Sequence, residues 1–311
     1  ASIHLNTNVN SEKAYVSSHQ SFGSFNSWKR NLKLGTGNMG NGFSFDARLS
    51  KISSDGYIDR AKADLNSYSL FGTWKQKNSV MRFSIIDGSE RTYQAWNGVP
   101  LSLEADWNTR TFNSAGAERQ GSPHPDEIDN YRQTHYQWHY DRLWSSKFSS
   151  NIALHYTKGR GYFEQFRSNQ NASDYSFSLP QGIDPTTNID VIRRRWLDND
   201  FYGAIFSVTY KDAKIQSVFG GAVHNYEGQH FGELTWASIA GSTFPDHRYY
   251  DNLATKFEAN AYWKNNIEIL PNVSAWTDFQ LRHINYEFEG FNDSGLRIPS
   301  VEKLTFFNPK A

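Results

Sequence analysis

Tyr131-Arg-Gln-Thr-His-Tyr-Gln-Trp-His-Tyr-Asp141 alternates with a period of two. Arg132, Thr134, Tyr136, Trp138 and Tyr140 fall on one side, and Tyr131, Gln133, His135, Gln137 and His139 on the other. A helix would repeat every 3.6 residues, so the stretch reads as a strand with one mainly aromatic face and one polar face. The same division recurs along the chain. Phe148, Ile152, Leu154 and Tyr156 oppose Ser149, Asn151, Ala153, His155 and Thr157, while Phe43, Phe45, Ala47 and Leu49 oppose Ser44, Asp46, Arg48 and Ser50. Leu253, Phe257, Ala259, Ala261 and Trp263 oppose Lys256, Glu258 and Asn260, and Val273, Ala275, Phe279 and Leu281 oppose Asp278, Gln280 and Arg282. Charges therefore sit repeatedly on the second face, well inside the strands.

Composition sharpens this pattern. The 311 residues are 16% aromatic but only 38% apolar, with a mean hydropathy of −0.70, so large rings carry the apolar surface. No apolar run exceeds three residues, far short of the roughly 20 that a spanning helix needs. Thirty-two basic residues balance 32 acidic ones and the isoelectric point is near 7.3, which removes the basic footprint of a nucleic-acid binder. Without cysteine there is no disulfide, thiolate nucleophile or thiolate metal site. The opening residues Ala1-Ser-Ile-His-Leu-Asn6 have neither a charged nor an apolar leader region, so a signal peptide is expected upstream or already removed.

The connections between strands alternate in length. Short ones carry turn residues, at Asn38-Met-Gly-Asn41, Lys77-Asn78, Lys211-Asp-Ala213 and around Pro271-Asn272. Long ones are expected at residues 51–64, 89–130, 159–200, 226–250 and 287–300. Every second connection thus leaves the same end of a sheet. A soluble sandwich would bury the aromatic face as its core, whereas an outer-membrane barrel turns that face to lipid, lines its lumen with polar groups and keeps its long loops outside. Rings on one face, charges on the other and the loop asymmetry favour an all-β, antiparallel transmembrane barrel of about twelve strands in this chain. Neither end reads as a domain end, so the chain is expected to be a piece of a larger barrel.

Several stretches resemble the TonB-dependent outer-membrane transporters of Gram-negative bacteria. Ala1-Ser-Ile-His-Leu-Asn-Thr-Asn8 resembles the last strand of that family's plug, and Ser21-Phe-Gly-Ser-Phe-Asn-Ser-Trp28 its first barrel hairpin. Phe45-Asp-Ala-Arg-Leu-Ser50 and Ser53-Ser-Asp-Gly-Tyr-Ile-Asp-Arg60 follow. Glu90-Arg-Thr-Tyr-Gln-Ala-Trp-Asn-Gly-Val-Pro100 with Thr111-Phe-Asn-Ser-Ala-Gly116 resembles the third extracellular loop, and His224-Asn-Tyr-Glu-Gly-Gln-His-Phe-Gly232 and Phe307-Asn-Pro-Lys-Ala311 match further along. The resemblance implies a 22-stranded barrel plugged from its N-terminal side, with residues 1–10 as the end of the plug and 11–311 as the N-terminal half of the barrel. It implies a location in the bacterial outer membrane and active import of a scarce nutrient, with a ferric siderophore or other iron complex favoured. Implied partners are the TonB complex, contacted through a region N-terminal to these residues, outer-membrane lipid and lipopolysaccharide, the small-molecule nutrient and a surface lipoprotein, with no nucleic acid. The alternatives are a passive porin-like channel and a soluble all-β carbohydrate-binding protein.

Three clusters are candidate ligand contacts. Arg91, Tyr93 and Trp96 fall in the long third connection, where they present a cation and rings or pack on one another. Arg193, Arg194 and Arg195 form a local basic run that draws in an anionic chelate, or instead meets lipopolysaccharide phosphate or Asp198 and Asp200. His224, Tyr226 and His230 begin another long connection, as iron-chelate contacts or as a polar loop base. His135 and His139 cannot share an ion, because four residues along a strand span about 13 Å. No phosphate loop, nucleophile elbow or His-Glu-x-x-His helix occurs, so no catalytic residue, metal site or cofactor is expected.

Overall fold

The computed structural model describes residues 12–176, 179–184, 186–239, 246–291 and 296–311. Residues 1–10, assigned above to the end of a plug, lie outside them. The strands are β1 (Tyr15–Gly23), β2 (Ser27–Gly35), β3 (Phe43–Ser54), β4 (Ala63–Gln76), β5 (Ser79–Tyr93), β6 (Ile128–Leu143), β7 (Phe148–Asn171), β8 (Asn188–Lys211), β9 (Ile215–Ala237), β10 (His247–Leu270), β11 (Val273–Glu289) and β12 (Ser300–Lys310). All twelve form one sheet in chain order, and each pair is antiparallel. Helix is confined to one turn at Leu101–Glu104 and a 3-10 turn at Ala172–Tyr175 among the described residues.

The registers carry the sequence alternation into three dimensions. Tyr140 pairs with Ile152, which pairs with Phe206, then Gly221, Ala261, Leu281 and Phe307, so one level of the aromatic face crosses seven strands without a charge. That face has no covering layer among the described residues: Leu154 is 46% exposed and Trp263 51%. A soluble sandwich needs a second sheet over such a face. The other face carries ion pairs inside the strands, including Arg82 with Asp141 at 2.9 Å and Arg282 on Glu258 through two bonds of 2.8 and 2.9 Å.

The strands are longer than their sequence suggests. β7, β8 and β10 each have 24 residues and β9 has 23, or about 80 Å at 3.3 Å per residue. The long connections expected at 159–200 and 226–250 therefore shrink to residues 172–187 and 238–246, because both flanks continue as paired strand. Alternation of apolar and polar residues fades there, yet the ladder continues. Charged side chains on the same face as the rings hold it across the strands, with Lys158 at 2.7 Å from both Asp198 and Asp200 and Arg160 at 3.4 Å from Asp198.

At the opposite end the turns are tight. In the β8–β9 turn the Asp212 carboxylate accepts from the amides of Lys214 and Ile215, both at 2.9 Å, and from the Tyr210 hydroxyl at 2.7 Å. The amide of Lys214, the Tyr210 hydroxyl and the amide of Ile215 hold its pKa down, from 3.8 to about 2. A depressed carboxylate stabilises the fold fully above 3.8 and loses that contribution as pH falls through about 2. Side-chain carboxyl NMR should place the Asp212 midpoint near 2; a midpoint near 3.8 would show that the turn does not hold these bonds.

Candidate functional site

The end that bears the long connections concentrates the buried polar chemistry. Residues 94–127, between β5 and β6, are pinned at several points. Arg60 donates to the carbonyls of Asn113 and Ala115 at 2.6 and 2.9 Å and stands over the Tyr93 ring. Asn113 donates to the carbonyls of Asp59 and Gln94, and Gln94 to those of Ile128 and Glu164. Both amide side chains are 2% exposed, so these bonds satisfy groups that water does not reach. The Tyr93 hydroxyl donates to the His124 carbonyl at 2.6 Å. Gly116 sits over that hydroxyl with φ +74, and a β-carbon there would lie 2.3 Å from it, so glycine is required by both space and backbone.

One carboxylate ties this connection to the neighbouring strands. Glu164 on β7 meets His124 Nε2 at 2.9 Å through one oxygen and Arg194 Nε at 2.8 Å through the other. Burial opposes the charge on Glu164, but its bonds to His124 and Arg194 outweigh that and hold the carboxyl below its usual range. Glu127 accepts from the Phe166 amide at 3.2 Å, and there burial prevails and pushes the carboxyl up.

The structure sorts the nine candidate residues into separate roles. Only Trp96 lies in a connection, edge-on to Phe163 with ring centroids 5.3 Å apart; Arg91 and Tyr93 end β5. Arg91 is ion-paired with Asp126 at 2.8 Å, and Tyr93 is buried as the loop's anchor. Arg193, Arg194 and Arg195 are strand residues of β8, so alternation splits the run. Arg194 turns to Glu164 on one face. Arg193 and Arg195 share the other, where Arg193 donates to the Tyr175 hydroxyl at 3.2 Å and to Gln165 Oε1 at 3.0 Å. Neither Arg193 nor Arg195 has an ion-pair partner among the described residues, and the buried Nε of each lacks an acceptor. Tyr249 stands beside them, its phenol pushed up by burial and so neutral.

His224, Tyr226 and His230 are likewise strand residues, on β9 and on the face shared with Arg195, which pairs with Gly232. Sequence reasoning missed the partners that complete this face. Tyr175 and Tyr249 come from segments far apart in sequence, and His155 and Phe201 meet His224 through strand register alone. Alternation places His155 and Phe201 on the right face, but not Tyr175, in a 3-10 turn, or Tyr249, at a register shift, and no sequence signal tells which side chains share a level.

The fold is similar to that of part of several solved receptors and transporters. It aligns over 97% of its length with the siderophore receptor PiuA from Acinetobacter baumannii, at a TM-score of 0.69 and 9% identity, covering 47% of that chain. The ferric citrate transporter FecA in its unliganded form gives 0.66 at 12% identity, with 97% of this chain and 42% of that one covered. The ferric yersiniabactin uptake receptor FyuA from Yersinia pestis gives 0.60 at 12% identity, with 97% and 44% covered. The chain thus spans less than half the length of these three structures. Identities this low establish likeness of fold alone. No family model and no curated protein sequence matches the chain.

The loop clamp yields a direct expectation. Tyr93→Phe leaves the ring in place but strips the buried His124 carbonyl of its donor, at a cost of about 1–3 kcal/mol. Amide exchange across residues 94–127 should accelerate at least about fivefold, with the central strands unchanged. Equal protection in the variant would show that this bond does not hold the loop.

Proposed function

We propose that this chain is about half of the barrel of a TonB-dependent outer-membrane receptor that captures an anionic metal chelate, a ferric siderophore or similar iron complex, at its mouth. The aromatic face then meets lipid, and the polar face lines a wet lumen in which inward charges pair with one another. The level running from Tyr140 to Phe307 lies within the hydrocarbon, and the extensions of β7 to β10 rise beyond it into the medium. Residues 1–10 are the end of a plug, and the TonB complex acts through a region N-terminal to them. Lipopolysaccharide surrounds the rim.

The observation that carries the substrate class is Arg193 and Arg195, two cations on the lumen side without carboxylate partners among the described residues, beside the hydroxyls of Tyr175 and Tyr249. Such groups match the carboxylate or catecholate oxygens of an iron chelate, because guanidinium donates to oxyanions in a fixed planar fork. Binding followed by release of the plug requires positioning and electrostatics but no bond-making.

Ferric citrate and a ferric catecholate, titrated into the full-length receptor in detergent, should bind more weakly to Arg193→Ala and Arg195→Ala. Each loses about 10- to 100-fold, since a charge-assisted hydrogen bond contributes about 1.5–3 kcal/mol. Unchanged binding in the double variant would refute the assignment. The membrane reading has its own test: Ile152→Arg, facing lipid, should cost about 2–4 kcal/mol of barrel stability, while Gln280→Arg on the lumen face costs little. Equal effects would refute the placement of the two faces.

A further inference from the structure

Below the arginine pair, on the polar face, two histidines from strands that are not neighbours come into contact. His155 on β7 and His224 on β9 each pair with Gly203 on the intervening β8. Their Cα atoms are separated by two strand spacings, about 9.6 Å, which any side chain between them would fill. Gly203 has none. The imidazoles lean over it until His155 Nε2 and His224 Nδ1 are 2.9 Å apart, and a β-carbon on Gly203 would lie 2.6 Å from His224 Nδ1 and 3.0 Å from His155 Nε2. Phe201 packs against both rings, at centroid distances of 4.8 and 5.5 Å, and limits their movement.

We infer that His155 and His224 form a two-imidazole site for a borderline transition-metal ion, best suited to Cu²⁺, on the lumen wall. A single proton now joins the nitrogens, donated by one neutral ring to the bare nitrogen of the other. A metal replaces that proton. Two nitrogens in adjacent positions of a tetragonal ion, with bonds of about 2.0 Å, stand about 2.8 Å apart, against about 3.3 Å around a tetrahedral one. The 2.9 Å separation brings both nitrogens within reach of one ion once each ring turns about its soft terminal torsion, and Cu²⁺ heads the affinity order for such nitrogen donors.

Glu258, the direct cross-strand neighbour of His224, is not a third ligand. Arg282 grips both its oxygens, at 2.8 and 2.9 Å, and Lys256 approaches to 3.1 Å. Among the described residues no group of three His, Cys, Asp or Glu could surround an ion. The wall therefore supplies two ligands and leaves the other positions to water or to donor atoms of a passing molecule. This arrangement suits transient holding better than permanent storage. The pair stands whether or not the chain imports anything, because binding is read on the protein alone.

Cu²⁺, supplied as its glycine complex to the full-length protein in detergent micelles, tests the site. Pulsed electron paramagnetic resonance on the wild type should count two equatorial imidazoles. His155→Gln and His224→Gln should each drop the count to one and weaken binding about 100-fold, since the second ligand acts at high effective concentration. His135→Gln should change neither, because that ring, on the same face, is engaged with Thr157 at 2.9 Å. Folding of each variant is checked by heat-dependent electrophoretic mobility. A wild-type count of one or none overturns the site without recourse to any variant, and so does undiminished binding in a folded His155→Gln, His224→Gln double variant.

Discussion

Satisfaction of backbone hydrogen bonds by an unbroken antiparallel ladder is the constraint on which everything else rests. Each strand pairs with its neighbours in sequence, so the ten inner strands, paired on both edges, satisfy their amides within the sheet. The ladder also enforces parity. Register shifts among the described residues fall near strand ends, at Arg167/Gln170, Ile192/Arg193, Arg248/Tyr250 and Glu268/Leu270. Through the central rows no residue is inserted, and a one-residue slip there would turn an entire strand inside out. The clean separation of rings from charges follows from that continuity.

Above the aromatic levels the ladder is held by other means. Lys158 and Arg160 face Asp198 and Asp200 across the β7–β8 pair, so charge complementarity maintains the strands beyond the aromatic levels. The connection at 94–127 is fastened by buried side-chain amides and by Glu164, which reaches loop and strand at once. A small apolar cluster of Tyr175, Ile189, Val191 and Leu234 seals the base of the next connection. These devices hold the end of the sheet at which Arg193 and Arg195 share the polar face.

The architecture was legible from residues such as Tyr136, Trp138, Leu154 and Phe279, because alternation reports both the strand and its face. Twelve strands and the placement of long connections at one end follow from the same pattern. The reach of the strands was not legible. Lys158, Arg160, Arg193 and His230 carry the polar composition of loops, yet they pair across strands, and composition cannot distinguish a loop from a strand surrounded by water on both faces. Tyr93 illustrates the other failure: a ring in a supposed binding loop proved to be the loop's anchor, since burial is a property of the packed chain.

Sequence alone determined that this chain makes a two-faced antiparallel sheet whose central levels turn rings one way and charges the other, because period-two patterning is a local property of strands. Tertiary structure alone decided which side chains meet. The run Arg193-Arg-Arg195 became one ion-paired residue and two cations without an ion-pair partner among the described residues, because parity divides neighbours between faces. His155 and His224 became a pair because register sets both level with Gly203, whose missing side chain leaves room for the contact. Register depends on the summed pairing of whole strands, and no local stretch of residues encodes it.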